Sequence, residues 1–167
     1  MDCVRWEEDD EWKGTLEKNH SLVTYNDFAQ EVIARYKFRG DYVLSKAFAA
    51  LIQKKLRSIP FDMIVPIPLS AERQYERGFN QSEALILACG REPHRLLTRT
   101  HTEKQSKKSR SDRIHFSQVF QIAERIPDQK ILLIDDIYTT GSTLRHAAKQ
   151  LIAAGANSVS SLTIARG

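Results

Sequence analysis

The sequence is poor in cysteine and has no long apolar run. Its only cysteines are Cys3 and Cys89, too few for a four-ligand zinc site or a disulfide framework. No apolar stretch is long enough to span a bilayer, and the first residues lack the basic and apolar regions of a secretory signal peptide. We therefore expect a cytoplasmic protein with reduced thiols, no membrane insertion and no metal held directly by cysteine.

Basic residues outnumber acidic ones, and the two kinds are unevenly distributed along the chain. The net charge is +4. Residues 1–12 hold six acids and one base, so the rest of the chain carries an excess of nine positive charges. Such an excess favours polyanionic ligands such as pyrophosphate or nucleic acid, although a solvated basic surface is the ordinary alternative.

The length and the pattern of apolar segments indicate a single α/β domain. A chain of 167 residues can bury one sizeable core. Residues 1–20 are polar without periodicity and predict an acidic mobile lead-in, followed by a domain over residues 21–167. Strands are predicted at 22–25, 62–67, 131–134 and 158–164, with a weaker one at 95–98. Helices at 26–40, 41–57, 80–89 and 142–154 alternate with them, which favours a mostly parallel sheet flanked by helices.

The most informative motif is ILLIDDIYTTGSTL, residues 131–144. Its apolar start predicts a buried parallel strand, so Asp135 and Asp136 would emerge at the exposed carboxyl end, where ligands bind in open α/β sheets. A turn of small residues and a helix follow, and their N–H groups can converge on one anion. The turn residues are Thr139, Thr140, Gly141, Ser142 and Thr143. A ribose 5-phosphate fits this pattern; the alternative is an ordinary turn with solvated acids.

A second motif, VPIPLS, begins at residue 65 and is followed by arginines. A strand that ends in two prolines must turn sharply. Guanidinium groups four residues apart can share a face and bind phosphate oxygens bidentately. The candidate phosphate-binding residues are Pro68, Leu69, Ser70, Arg73 and Arg77. The alternative is a proline-rich strand end with solvated arginines.

A third segment, residues 99–113, holds six Lys or Arg residues against two acids. With no apolar stripe, residues 99–118 predict a loop or hairpin on the surface. The segment could follow a single-stranded DNA backbone, which we favour, or close over a ligand as a flexible catalytic loop, or simply be solvated. Its candidate contact residues are Lys104, Gln105, Lys107, Lys108, Arg110 and Arg113.

These three motifs, preceded by YKFRGD at residues 36–41, occur in the order found in the ComF family of competence proteins. The chain resembles that family over residues 22–166. The resemblance implies a type I phosphoribosyltransferase fold that binds phosphoribosyl pyrophosphate, with Mg²⁺ carried by the ligand. It would place the ribose at Asp135 and Asp136, the 5-phosphate at the following turn and the pyrophosphate at the proline-rich loop. Tyr138 departs from the pattern, because most phosphoribosyltransferases have an aliphatic residue there.

The resemblance also implies DNA uptake in natural transformation, with a ComFA-type helicase and other competence proteins as partners. Members commonly begin with a cysteine-rich zinc ribbon, of which only residues 2–6 remain in this sequence, so we expect no zinc. Two functions stay open. One is a phosphoribosyl-pyrophosphate-binding accessory that contacts single-stranded DNA or the uptake machinery. The other is an active Mg²⁺-dependent transferase in which Asp135 and Asp136 are catalytic and the acceptor is a nucleobase or an amine.

Overall fold

The computed structural model describes residues 2–38, 41–99, 120–122 and 124–167. The helices of this part of the chain are α1 (Asp2–Glu8), α2 (Asp27–Phe38), α3 (Leu44–Leu56), α4 (Ala71–Arg77), α5 (Gln81–Ala88) and α6 (Ser142–Ala153). The strands are β1 (Asn19–Thr24), β2 (Met63–Pro66), β3 (Leu97–Arg99), β4 (Phe120–Ile122), β5 (Lys130–Tyr138) and β6 (Ser158–Arg166). This order confirms the predicted α/β class.

Four strands form one parallel sheet in the order β1-β6-β5-β2. The two central strands, β5 and β6, pair from Lys130 to Tyr138 of β5. On its other side β5 pairs with the much shorter β2, whose last residue, Pro66, lies opposite Ile134. The carboxyl half of β5 therefore extends beyond β2 and borders a cleft there.

The sheet separates two apolar cores. Ile131 and Leu133 of β5 pack with α6 in one core, and Leu132 and Ile134 pack with α2, α3 and α5 in the other. Successive side chains of a strand point to opposite faces, so a strand covered on both sides is apolar throughout. This is why the run 131–134 shows no alternation of polar and apolar residues.

A small antiparallel sheet pairs β3 with β4. Its two strands lie on either side of residues 100–119, and Leu97 lies opposite Ile122. Strand β4 was not predicted, and residues 100–119, which hold most of the predicted loop or hairpin, lie outside the described residues. The candidate contact residues between 104 and 113 lie outside the described residues.

Helix α4 was also missed by the sequence analysis. Ser70 caps it by accepting the N–H of Arg73 on its side-chain oxygen at 3.3 Å, and Gly78 ends it in the left-handed conformation. None of its residues is buried, so it has no apolar stripe from which a helix could be predicted. The helix that follows is confirmed: Asn80 caps α5 through the N–H groups of Ser82 and Glu83.

The amino-terminal segment has more structure than its sequence predicts. Residues 1–20 showed no periodicity, yet they contain α1 and the start of β1. Trp12 and Leu16 are both buried. A few anchoring side chains hold this segment against the domain, and such anchors leave no repeating pattern in a sequence.

Candidate functional site

The two acids lie inside β5 and not beyond its end. Asp135 is opposite Thr163 of β6, and β2 has already ended on the other side. The prediction of two exposed carboxylates after a strand ending at Ile134 is wrong, because β6 continues to pair with β5 and only 8% of Asp136 is exposed. The acids nevertheless border the cleft beyond the carboxyl end of β2.

Asp135 and Asp136 have different environments. The Nζ of Lys37 forms an ion pair with Asp136 Oδ1 at 2.9 Å. Asp135 Oδ1 accepts the backbone N–H of Asp136 at 2.9 Å and the hydroxyl of Ser82 at 3.4 Å. Burial, reinforced by the charge of Asp136, raises the pKa of Asp135 to about 7. A carboxyl group that titrates there can accept or release a proton at neutral pH.

The predicted phosphate turn leads directly from β5 into α6. Thr139 and Thr140 are exposed, and Gly141 has a φ of 80°. A side chain at Gly141 would collide with the hydroxyl and ring of Tyr138, which is buried beneath the turn. The turn and Asp135 line a hollow of about 30 Å³. The unusual Tyr138 thus supports the turn from below.

A cleft of about 200 Å³ joins the acids, the turn and the proline-rich loop. The side chains that line it are those of Lys37, Ile67, Leu69, Arg73, Arg77, Gln81, Ser82, Arg99, Asp135, Asp136, Ile137, Thr139 and Thr143. Four of these are cationic and two are acidic. The cleft is therefore suited to a ligand that carries several negative charges.

The residues predicted at the proline-rich loop have different roles in the structure. Leu69, Arg73 and Arg77 line the cleft. Ser70 caps α4, the helix that carries both arginines, and Pro68 lies half-buried between β2 and α4. The first three residues can touch a ligand, whereas Ser70 acts by fixing α4.

The structure adds four polar residues that the sequence analysis did not assign to the site: Lys37, Gln81, Ser82 and Arg99. Lys37 comes from the carboxyl end of α2 and Arg99 from the end of β3. Gln81 fixes one predicted residue, because its Oε1 accepts a hydrogen bond from Arg77 Nη1 at 2.8 Å. Lys37 lies in the motif YKFRGD and Arg99 begins the basic segment 99–113, and these two motifs were the available signals.

The arginines of the cleft are partly withdrawn from water. Burial, the largest cause, lowers the pKa of Arg77 and of Arg99. A guanidinium remains charged when it is partly withdrawn from water, and there it loses part of the stabilisation that water gives its charge. An anionic ligand would supply stabilisation in its place.

The described residues contain no group of three or more His, Cys, Asp or Glu side chains that could hold a metal ion. Magnesium is often bound by one or two carboxylates together with substrate phosphates, and Asp135 and Asp136 fit that arrangement. In the described part of the chain, no helix combines the length and apolar character needed to cross a membrane.

Known proteins resemble this sequence. The family model described as "Phosphoribosyl transferase domain" matches residues 93–167, which include the acid pair and the turn. Competence protein ComFC of Bacillus subtilis (strain 168) is 41% identical over 170 residues, covering 99% of this chain and 71% of that protein. Competence protein ComFC of Streptococcus pneumoniae is 38% identical over 99% of this chain and 74% of that protein. DNA utilization protein YhgH of Escherichia coli (strain K12) is 30% identical over 83% of this chain and 68% of that protein.

Proposed function

Because the chain belongs to the ComFC family of competence proteins and contains a phosphoribosyltransferase domain, we propose that it binds phosphoribosyl pyrophosphate in the cleft beside β5 and acts in DNA uptake. One observation carries the ligand assignment. An acid pair, a hydroxyl-rich turn at a helix start and three arginines line neighbouring surfaces of the cleft and the hollow next to it. These features match the hydroxyls, the 5-phosphate and the pyrophosphate of one molecule.

The ribose phosphate would occupy the β5 side of the cleft. Asp135 and Asp136 accept hydrogen bonds from the 2- and 3-hydroxyls. The 5-phosphate lies at residues 139–143, where backbone N–H groups and the positive end of α6 favour an anion. Carboxylates and a phosphate can share this site because the ribose ring separates them.

The pyrophosphate would face Arg73, Arg77 and Arg99. Guanidinium groups bind phosphate oxygens bidentately, and they bind more strongly where water is partly excluded. Mg²⁺ would enter with the ligand, held by its phosphates and the acid pair, and would neutralise pyrophosphate charge. Leu69 and Ile67 shape the apolar edge of the cleft.

The second part of the proposal is contact with single-stranded DNA or with the uptake machinery on the cytoplasmic side. The relatives named above are competence and DNA utilization proteins. The basic segment 99–113 begins at Arg99, which lines the cleft. A chain with this local excess of positive charge is suited to a phosphate backbone. The family resemblance adds a ComFA-type helicase and other competence proteins as partners.

An active Mg²⁺-dependent phosphoribosyltransferase is the second candidate function. The observation that favours it is Asp135, whose carboxyl group titrates at about pH 7 where the ribose would lie. In the reaction a nucleobase or amine nitrogen forms a bond to C1 of the ribose while the bond from C1 to pyrophosphate breaks. Asp135 can take up the proton that the acceptor nitrogen loses. Release of pyrophosphate across a panel of bases and amines separates this function from binding alone.

Calorimetric titration with phosphoribosyl pyrophosphate and Mg²⁺ tests the binding proposal. Replacing both acids, Asp135→Asn with Asp136→Asn, should weaken binding by about 1–3 kcal/mol, because the variant cannot form charge-assisted hydrogen bonds to the ribose. Asp62→Asn is the matched control, since Asp62 accepts the N–H of Lys130 at the opposite end of β5. Unchanged affinity in a folded double variant would place the ribose elsewhere, and no binding by the wild type would end the proposal.

A further inference from the structure

The segment of residues 2–16, called here the N-terminal strap, lies across the start of α6. It comprises α1 and the turns that follow it. We propose that the strap fixes the conformation of the turn 139–143, with Trp6 and Arg145 as positioning residues. The inference rests on the proposed function in one respect, since it takes this turn as the place where the 5-phosphate binds.

The first contact joins Trp6 to the turn itself. The indole N–H of Trp6 donates to the backbone carbonyl of Thr140 at 2.7 Å. That carbonyl and the N–H of Gly141 belong to one planar peptide unit, and no peptide bond of the described chain is cis. In a trans unit the two groups point in opposite directions. The contact that holds the carbonyl towards the strap therefore directs the N–H of Gly141 away from the strap, and Gly141 is one of the residues that line the hollow beside Asp135.

Arg145 also connects the strap to the same turn. Its backbone N–H donates to the carbonyl of Gly141 at 2.9 Å, the first hydrogen bond of α6. Its side chain is only 4% exposed and reaches the strap through Nη2 to Glu7 Oε1 at 2.7 Å and Nη1 to the carbonyl of Trp12 at 3.3 Å. Arg145 thus couples the position of the strap to the helix start.

Aromatic contacts complete the attachment. The rings of Trp6 and Trp12 meet edge to face with centroids 5.1 Å apart, and Trp12 packs on His146 at 4.5 Å. His146 Nδ1 lies 2.8 Å from the carbonyl oxygen of Ser142. The guanidinium of Arg145 lies 5.7 Å from the ring centroid of Trp6. Trp12 and Arg145 therefore hold the strap against the first turn of α6, whereas the indole of Trp6 bonds directly to the turn 139–143.

A test must separate the contact from the charge of the strap, because residues 7–11 carry five consecutive acids near a proposed anion site. Trp6→Phe removes the indole donor and leaves every strap charge in place. Trp12→Phe is the matched control: it makes the same chemical change in the adjacent ring, which contacts Trp6, His146 and Lys149.

The deciding measurement is the backbone ¹⁵N order parameters of residues 139–143 in the full chain without ligand. We expect Trp6→Phe to lower them from the rigid range of about 0.85 towards about 0.6, and Trp12→Phe to leave them near the wild-type values. Calorimetry then measures how a more mobile turn changes the affinity for ribose 5-phosphate. This affinity should fall about five- to tenfold in Trp6→Phe and less than twofold in the control.

Several results would overturn the inference. They are unchanged order parameters in Trp6→Phe, an equal decrease in both variants, or a looser turn that binds ribose 5-phosphate as well as the wild type does. If the wild type binds neither ribose 5-phosphate nor phosphoribosyl pyrophosphate, the proposed function fails, and the order parameters alone decide whether the strap fixes the turn. If Trp6→Phe does not fold, Glu7→Gln breaks the ion pair with Arg145 from a half-exposed position. This variant is judged by the order parameters alone, because it also changes the charge of the strap.

Discussion

At the scale of single residues, Asp135 determines how the cleft responds to pH. Its ordinary pKa of 3.8 rises to about 7 because burial and the neighbouring Asp136 disfavour its charge. Between these two values the folded protein binds a proton that the unfolded chain releases. As pH rises from about 4 to 7, Asp135 loses its proton, and its charge progressively lowers the free energy of unfolding. The full decrease is present above pH 7.

Replacing Asp135 by Asn should stabilise the protein in alkaline solution. We expect the variant to exceed the wild type by about 1–3 kcal/mol in free energy of unfolding at pH 8, because an uncharged amide avoids the buried charge. The difference should disappear near pH 4, where the wild-type carboxyl group is itself neutral. Urea unfolding at the two pH values measures it. A variant that is less stable at pH 8 contradicts the raised pKa.

At the scale of elements, the junction of β5 and α6 depends on Gly141. Two separate constraints act there: a left-handed φ, and the Tyr138 ring beneath the position. Gly78, at the end of α4, has a similar φ of 77° but open space around it. Alanine variants at the two glycines therefore separate the stability lost through the left-handed conformation from the stability lost through collision with Tyr138.

Gly141→Ala should be more damaging than Gly78→Ala. The control should lose about 1 kcal/mol of stability from the left-handed conformation alone. The variant at Gly141 should lose a further 1–3 kcal/mol, an overpacking cost of about the usual size, and should bind phosphoribosyl pyrophosphate weakly because the turn must move. Thermal unfolding and calorimetry compare the two variants. Equal losses of stability would show that the Tyr138 ring moves aside without destabilising the fold.

The sequence predicts some elements well and others not at all, for physical reasons. The elements β5, α6 and β6 were found because buried strands and a helix ended by Gly155 have apolar patterns. Helix α4 buries nothing, and the strap is held by single aromatic and ionic contacts, so neither leaves a periodic signal. Lys37 and Arg99 join the cleft only through tertiary packing, far along the chain from the acids they approach. Motifs local in sequence were therefore predictable, and contributions from distant elements were not.

At the scale of the whole molecule, acidic and basic residues are separated along the chain. This separation bears on whether the basic segment 99–113 contacts single-stranded DNA or closes over a ligand. The first 12 residues are acidic and the remainder is strongly basic. In the described structure, part of the strap's acid charge is already paired with α6, through Glu7 with Arg145 and Glu11 with Lys149. Arg145 and Lys149 are therefore already paired, and the segment 99–113, with six Lys or Arg residues, is the basic segment that we propose for contact with a nucleic acid.

Replacing Lys104, Lys107, Lys108 and Arg110 by Ala should weaken single-stranded DNA binding at every sequence tested. The slope of log affinity against log salt should decrease by roughly 0.7 for each phosphate that the variant no longer neutralises. Phosphoribosyl pyrophosphate affinity should change little. The control replaces four basic residues of the α3 region, Lys46, Lys54, Lys55 and Arg57, and so makes the same change in net charge. Salt-titrated anisotropy of an end-labelled oligonucleotide measures the slopes, and parallel lines for wild type and quadruple variant would favour a catalytic loop.

The pairing of β1 with β6 has a consequence for how the protein is made. Among the described strands β1 comes first along the chain and its partner β6 comes last, and Asn19 lies opposite Ser161. A nascent chain that has not reached Ser158 has no partner for β1, and only the first half of β5 can pair with β2. Contacts this distant along the chain form late and slowly. The acid pair therefore acquires its strand neighbour only after residues 158–166 have been made, because Asp135 lies opposite Thr163.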